Sequence, residues 1–348
     1  MRWMADARAE DDLILTARWV LPISSPPIED GAVRVRSGRV AQVGRADQLP
    51  GCAGPSIHRL DLGHAAILPG LVNVHTHLEL TLLRGFCEDL DFFSWIRKLT
   101  ETKKRCFDVT DFRLSARWGA LEAIRSGITT VGDASDSGVV LDVLLESGLR
   151  GISYQEVFGP DGQRWEESLG GLKDALDSLS ARATRRVRVG VSPHAPYTVS
   201  APLFRSVTGL ALERGLPMTL HAAESQAERL LLREGAGPFA RFLEDRGIAW
   251  RAPGVSTIQY LADLGVLAAK PLLVHVVDAD LEDLERIRSS GAAVAHCPKS
   301  NAKLCHGIAP LLELVSAGIK TGLGTDGAVS SNNCDFFEEA RFAVLLQR

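Results

Sequence analysis

Two histidines one residue apart, His75 and His77, close the apolar run 66–74. In an extended chain, side chains at i and i+2 point to the same face, so both imidazoles can converge on one metal ion at the strand's end. An H-x-H pair alone is a frequent accident of sequence. Here it has company: His194, His221, His275, His296 and Asp326 each lie at or just beyond the end of another short apolar run far downstream. Residues of these types, gathered at strand ends, are what metal-assisted hydrolysis requires.

The elements that must position them follow a rhythm. From Leu13 to Ile67 the chain reads as short β-runs, 13–19, 31–35 and 39–43, broken by Ser24-Ser25-Pro26-Pro27 and Arg36-Ser37-Gly38, a small β-module. Beyond Pro69, strand and helix patterns alternate, as in a parallel sheet with crossover helices. The clearest unit is a helix over 111–126, with Phe112, Ala116, Gly119 and Ala123 on one side and Leu114, Trp118, Leu121 and Ile124 supplying the broader apolar face. Gly127 closes it and a β-branched strand follows. Eight strands are expected, at 67–74, 128–131, 151–157, 187–192, 216–221, 272–275, 292–296 and 319–323. Eight such units favour a closed (β/α)8 barrel, in which catalytic groups gather at the strands' C-terminal ends. His75, His77, His194, His221, His275 and Asp326 then face one mouth, and the loop 78–105 shapes the pocket above it. The expected organisation is a small β-sandwich segment, 1–66, and a barrel, 67–348.

Composition narrows the partners. A chain of 348 residues, 45% hydrophobic and 24% charged with a formal net charge of -4, has material for a large core and gives no general reason to expect nucleic acid or an anionic membrane. Small-molecule substrates fit better, and a homo-oligomer stays open. Cys52, Cys87, Cys106, Cys297, Cys305 and Cys334 form no C-x-x-C pair, which fits a reducing compartment. Charges at Arg2, Asp6, Arg8, Glu10 and Asp11 interrupt any signal-peptide core, and no apolar stretch is long enough to span a bilayer; the cytoplasm is expected.

The segments 69–77 (Pro-Gly-Leu-Val-Asn-Val-His-Thr-His), His221-Ala222-Ala223-Glu224, Cys297-Pro298-Lys299-Ser300-Asn301 and Gly324-Thr325-Asp326-Gly327 resemble the amidohydrolase superfamily over nearly the whole chain. Within it, the chain is most similar to the one-metal deaminases of S-adenosylhomocysteine, methylthioadenosine and aminodeoxyfutalosine, and to the chlorotriazine hydrolases. The resemblance implies His75, His77, His221 and Asp326 as metal ligands, Asp326 also sharing in catalysis, Glu224 and His275 as proton-transfer groups, and His194 as a substrate contact. Three neutral imidazoles and one carboxylate suit a divalent ion, Zn²⁺ first and Fe²⁺ second, with a position left for water. Water so held becomes substantially hydroxide near neutral pH, its pKa falling from about 16 toward roughly 7. Two-metal members carry a carboxylated lysine at the fourth strand; the segment 187–194 has no lysine, which favours one metal.

The same resemblance implies Trp95, eighteen residues past His77, as an indole against the base, and Ser330, four past Asp326, as a substrate contact. Glu101 is the nearest acidic candidate for a ribose, in a local sequence that departs from the group's pattern. It also implies further strands of the small sheet beyond the point where this chain stops at Arg348, so a sheet lacking its returning strands is expected. Bland roles stand beside the sharp ones. Glu224 could simply favour a helix start, His296 reads as structural support, His58, His64 and His306 read as surface or loop residues, and Lys299 and Lys303 as solvated or facing a substrate carboxylate. The expected activity is hydrolytic deamination of an adenine-type nucleoside, aminodeoxyfutalosine first, with metal-activated hydroxide attacking the amino-bearing carbon and ammonia leaving. The rivals are a triazine hydrolase, a guanine or cytosine deaminase, and an inactive scaffold of the same fold.

Overall fold

The computed structural model describes residues 12–49 and 57–348; Cys52 and the charged N-terminal stretch lie outside them. The chain divides into two compact units, 1–70 and 71–348. In the first, β1 (Asp12–Val20), β2 (Ile28–Arg36) and β3 (Arg39–Arg45) pair antiparallel in sequence order, with Ser37-Gly38 as the two-residue turn between Arg36 and Arg39. Strands β4 (Ile57–Asp61) and β5 (Ala66–Ile67) lie parallel to β1, giving one five-stranded sheet layer among the described residues. Ile14, Ala17, Val20, Ala32 and Val33 form its buried side. Ile67 belongs here because Leu68-Pro69-Gly70 breaks the run, proline having no N–H to give a ladder.

The second unit holds eight strands in chain order, joined by helices: β6 (Leu71–Thr76), β7 (Ile128–Ser135), β8 (Arg150–Val157), β9 (Val187–Pro193), β10 (Thr219–Ala222), β11 (Leu272–His275), β12 (Ala293–His296) and β13 (Lys320–Leu323). They form two four-stranded parallel sheets, β6 to β9 and β10 to β13. One seam between the sheets is bridged by a parallel pairing of Val191 with Met218 and by the His221 N–H donating to the His194 carbonyl at 2.8 Å. At the other, the Asp326 N–H donates to the His75 carbonyl at 3.0 Å, and the Asn73 amide donates to Thr325 Oγ1 at 2.7 Å and accepts from the Thr325 N–H at 3.0 Å. This is the expected (β/α)8 arrangement, its regular ladder interrupted at two seams where side chains and loop backbone take over.

Two local expectations change. The segment expected as a loop, 78–105, is mostly helical: a 3₁₀ turn over Leu78–Leu83 and an α-helix over Phe92–Cys106, which buries Phe92, Trp95 and Leu99 at helical spacing. Asp91 caps it, accepting from the Ser94 N–H at 3.1 Å and the Ser94 hydroxyl at 2.6 Å. The helix Val109–Arg125 starts at a reciprocal Asp108/Asp111 capping box and ends before Gly127, whose φ of +79° is the left-handed cap. Its inward face is the small one, Ala116, Gly119, Ala120 and Ala123, whereas Leu114, Trp118, Leu121 and Ile124 are exposed. Small residues let the helix approach the turn at Leu78 and Thr81, where a Cβ on Gly119 would meet Thr81 Oγ1 at 2.5 Å.

Close approach also fixes Gly151, where a Cβ would lie 2.1 Å from the Val131 carbonyl oxygen on the neighbouring strand. Backbone in a sheet has no slack to yield. Gly151→Ala is expected to lower unfolding stability by about 1–3 kcal/mol, the cost of overpacking, in a urea titration of the variant against wild type. An unchanged midpoint would mean that the strands separate more easily than this packing implies.

Candidate active site

His75 and His77 leave the end of β6, His221 stands in β10, and Asp326 follows β13. Their donor atoms converge: the ligating nitrogens of the three imidazoles lie within 4.8 Å of one another, and Asp326 Oδ1 is 3.5 Å from Nε2 of both His75 and His77. The other ring nitrogens explain the orientation. His77 Nδ1 is 2.6 Å from the Ala134 carbonyl and His221 Nδ1 is 3.0 Å from the His194 carbonyl. A carbonyl only accepts, so both Nδ1 atoms carry the hydrogen and both Nε2 lone pairs face inward, 3.3 Å apart. His75 Nε2 is buried and has no hydrogen-bond partner. Burial pushes the pKa of all three rings down to about 4, which keeps them neutral, the state a metal ligand needs. A buried set of lone pairs that cannot satisfy one another fits a divalent cation.

The surrounding chain holds this geometry under constraint. Asp326 Oδ2 accepts from the Ser300 hydroxyl at 2.5 Å and lies 2.9 Å from Ser330 Oγ, while Oδ1 accepts from the Gly327 N–H at 2.7 Å. Four non-glycine residues at the strand ends have positive φ: Ala223 (53°), His275 (77°), Val276 (47°) and Asp326 (57°). Such backbone costs on the order of 1–3 kcal/mol per residue and persists where the surroundings over-determine it. At Ala223 the clamp is Glu228, which accepts from the N–H groups of Ala223 at 3.0 Å and Glu224 at 2.9 Å and from Thr257 Oγ1 at 2.7 Å. Burial pushes the carboxyl of Glu228 up to about 7.

Glu224 is buried beside the cluster. Its Oε2 accepts from the Tyr197 hydroxyl at 2.9 Å, and its Oε1 lies 3.4 Å from His275 Nε2 and 3.3 Å from His306 Nε2. Burial opposes its charge, but the rings of His275 and His306 more than offset this and hold the carboxyl well below the usual range. His275 Nδ1 is 2.8 Å from Asn301 Oδ1. His306, expected at the surface, has a side chain only 2% exposed, because the chain after the helix Pro298–Lys303 turns back into the barrel. His58 and His64 are exposed as expected. His296 is buried at the end of β12, outside the cluster, with neither ring nitrogen hydrogen-bonded. Lys299 and Lys303 are paired, with Asn333 and Glu338 and with Glu88 and Asn332, so neither is simply solvated.

His77, His221, Asp326, Glu224 and His275 line a cavity of about 930 Å³. His194 lines it, with Nδ1 2.8 Å from Thr198 Oγ1 and its ring 4.7 Å from that of His221. Trp95 lines it from the helix Phe92–Cys106, with a buried Nε1 that has no partner. Ser330 reaches the cavity, although its hydroxyl is already within hydrogen-bond distance of Asp326. Glu101 sits exposed on the lining, 3.4 Å from Arg97. Sequence reading missed Tyr197, His306 and an ion cluster on the wall, where Lys103 Nζ meets the buried Glu79 at 3.2 Å and the exposed Asp136 at 2.6 Å. Burial lifts Glu79 to about 7. Glu156, His194 and His221 form a second trio with donor atoms within 4.8 Å, but His221 has one inward nitrogen and cannot serve two ions.

With this geometry in hand, residues 66–348 match the amidohydrolase family. A 5-methylthioadenosine/S-adenosylhomocysteine deaminase of Nitratidesulfovibrio vulgaris is 32% identical over 330 residues, spanning 92% of this chain and 69% of the relative. A zinc-bound adenosine deaminase from Xanthomonas campestris superposes with a TM-score of 0.81 at 27% identity, covering 97% of this chain and 74% of that one. Helicobacter pylori aminofutalosine deaminase, in complex with methylthio-coformycin, superposes with a TM-score of 0.86 at 22% identity, over 95% of this chain and 81% of the other. Among the described residues no helix is long and apolar enough to cross a membrane.

The lone-pair geometry leads to a direct check. Elemental analysis of purified protein is expected to find about one divalent metal per chain, and a His75→Ala/His221→Ala double variant is expected to lose it, since removing two of four ligands leaves no enclosed site. Two tightly held metals per chain, or unchanged content in the variant, would refute the assignment.

Proposed function

This chain belongs to the amidohydrolase family, and on that premise we propose that it is a metal-dependent hydrolytic deaminase of an adenine-type nucleoside. One observation carries the reading: His77, His221, Asp326 and Glu224 line one cavity of about 930 Å³, a volume suited to a nucleoside with a substituent and generous for a lone triazine or pyrimidine ring. Methylthioadenosine and S-adenosylhomocysteine lead the substrate list, because the relative with that name is 32% identical; aminodeoxyfutalosine, favoured by the motifs around His75 and Trp95, stands beside them. The reaction is small-molecule chemistry in the cytoplasm.

A divalent cation, Zn²⁺ first, framed by His75, His77, His221 and Asp326, supplies Lewis-acid activation of water near neutral pH. The protein's residues do the rest. Glu224 carries two protons in turn, the first from the attacking water to the ring nitrogen and the second from the new hydroxyl to the amine, which departs as ammonia, the work of a positioned general acid–base group. His275 presents Nε2 3.4 Å from Glu224 Oε1, where its lone pair can accept a hydrogen from the attacking water. His194 contacts the base beside His221, and Trp95 lies along the cavity wall, where its indole can stack on a purine face. The aromatic wall of Phe92, Tyr197 and Phe239 excludes water from the acid–base group.

The test is ammonia release from a panel: methylthioadenosine, S-adenosylhomocysteine, aminodeoxyfutalosine, deoxyadenosine, guanine, cytosine and a chlorotriazine. Turnover is expected on the nucleosides; turnover confined to the free bases or the triazine would overturn the nucleoside assignment. Glu224→Gln is expected to keep its metal and lose about 10²-fold or more in kcat. A rate near wild type would remove Glu224 from the mechanism. Base stacking on an aromatic side chain is worth about 1–3 kcal/mol, so Trp95→Ala is expected to lower kcat/KM for a nucleoside by roughly 5- to 150-fold. A small effect, equal across all substrates, would reduce Trp95 to packing.

A further inference from the structure

Glu224 has a second neighbour besides Tyr197 that is able to hold it. We propose that His306 is a positioning residue for Glu224, its Nε2 being the hydrogen-bond donor that fixes Oε1; this rests on the reading of Glu224 as the acid–base group. The argument begins at Asn301. Its Oδ1 lies 2.8 Å from His275 Nδ1, so that nitrogen carries a hydrogen, and Nε2 is left with no hydrogen-bond partner. In the tautomer that Asn301 selects, His275 has no hydrogen at Nε2 to give Glu224 Oε1 across their 3.4 Å separation. His306 Nε2 is buried 3.3 Å from the same oxygen, not aligned on it as a hydrogen bond and without any other partner, so a small turn of the ring lets it donate to Oε1. The carboxylate is then held from both sides, Oε2 by the Tyr197 hydroxyl and Oε1 by His306.

The holders are themselves fixed. The His306 ring stands edge-on to Phe92 at 4.4 Å between centroids, and its backbone N–H donates to the Asn301 carbonyl at 2.8 Å. Phe92 also meets the Tyr197 ring edge-on at 5.9 Å, and Tyr197 stacks on Phe239 at 4.3 Å. One aromatic block thus sets both hydrogen-bond donors of Glu224, and Asn301 ties His306 to His275. A glutamate has three soft torsions, and a displacement of about 1 Å in a group placed for proton transfer costs on the order of 10²-fold in rate. Holding that carboxylate is a job that neither the metal ligands nor His275 in that tautomer can do.

The test compares His306→Phe, which keeps a ring against Phe92 and removes the donor, with His306→Gln, whose amide nitrogen reaches near the place of Nε2. Expected for His306→Phe are a kcat about 10-fold lower or more, a KM within about 3-fold of wild type and unchanged metal content, with His306→Gln recovering most of the rate. A crystal structure of His306→Phe is expected to show the Glu224 carboxylate turned away from Tyr197. Wild-type kcat in His306→Phe, a His306→Gln no better than it, or an unmoved carboxylate overturns the proposal. Glu224→Gln assayed alongside separates the two ideas: an active Glu224→Gln removes the acid–base reading, whereas an inactive Glu224→Gln beside a fully active His306→Phe removes only the role of His306. The crystal structure decides the positioning claim whatever substrate the enzyme turns over.

Discussion

The identity of the nitrogen that faces inward on each imidazole governs the rest of the site. The carbonyls of Ala134 at the end of β7 and His194 just past β9 bind the outward nitrogens of His77 and His221. A shift of one residue in either strand would replace those carbonyls with side chains and release the rings. The parallel register of the sheet is therefore part of the ligand chemistry. Burial completes the arrangement, since it keeps the rings neutral and leaves their lone pairs without water.

Around that core, three buried carboxylates have donors. Asp326 is served by Ser300, Ser330 and Gly327, Glu224 by Tyr197, with His306 Nε2 3.3 Å from its other oxygen, and Glu228 takes two backbone N–H groups at the strained corner after β10. Unserved, such groups would cost several kcal/mol each. Polar satisfaction and backbone strain offset each other here: the hydrogen bonds that hold Ala223 and Asp326 at positive φ also aim Glu224 and the Asp326 carboxylate.

The metal cluster was legible because strand ends can be read from short apolar runs, and residues at strand ends share one mouth in a barrel. His75, His77, His221 and Asp326 meet as that logic requires. His306 and Tyr197 were not legible, because each reaches the site through the path of a loop or short turn, which periodicity does not encode. The helix over Phe92–Cys106 carried a readable signal, an Asp91 cap followed by apolar residues three and four apart. The helix Val109–Arg125 misleads in the opposite way: hydrophobicity points to Leu114 and Trp118, but closest packing is achieved by alanine and glycine. Ser330 was picked out for contact with substrate, and its hydroxyl is also committed to Asp326.

The hydrogen bonds between Asn73 and Thr325 join residues 252 positions apart, and the bond between Asp326 and His75 spans a similar length of chain. Loop-closure entropy has to be met before so distant a contact gives anything back, and non-local pairings of this kind slow folding. Strands β6 to β9 and β10 to β13 can each pair locally, whereas the seam that brings Asp326 to the histidines of β6 forms only when nearly the whole barrel is in place. On the proposed ligand set, full coordination of a metal is thereby coupled to a contact between segments 250 positions apart: a chain without that seam can offer His75 and His77 but lacks Asp326. The arrival of tight metal affinity during refolding would then be a clock for the closing of that seam.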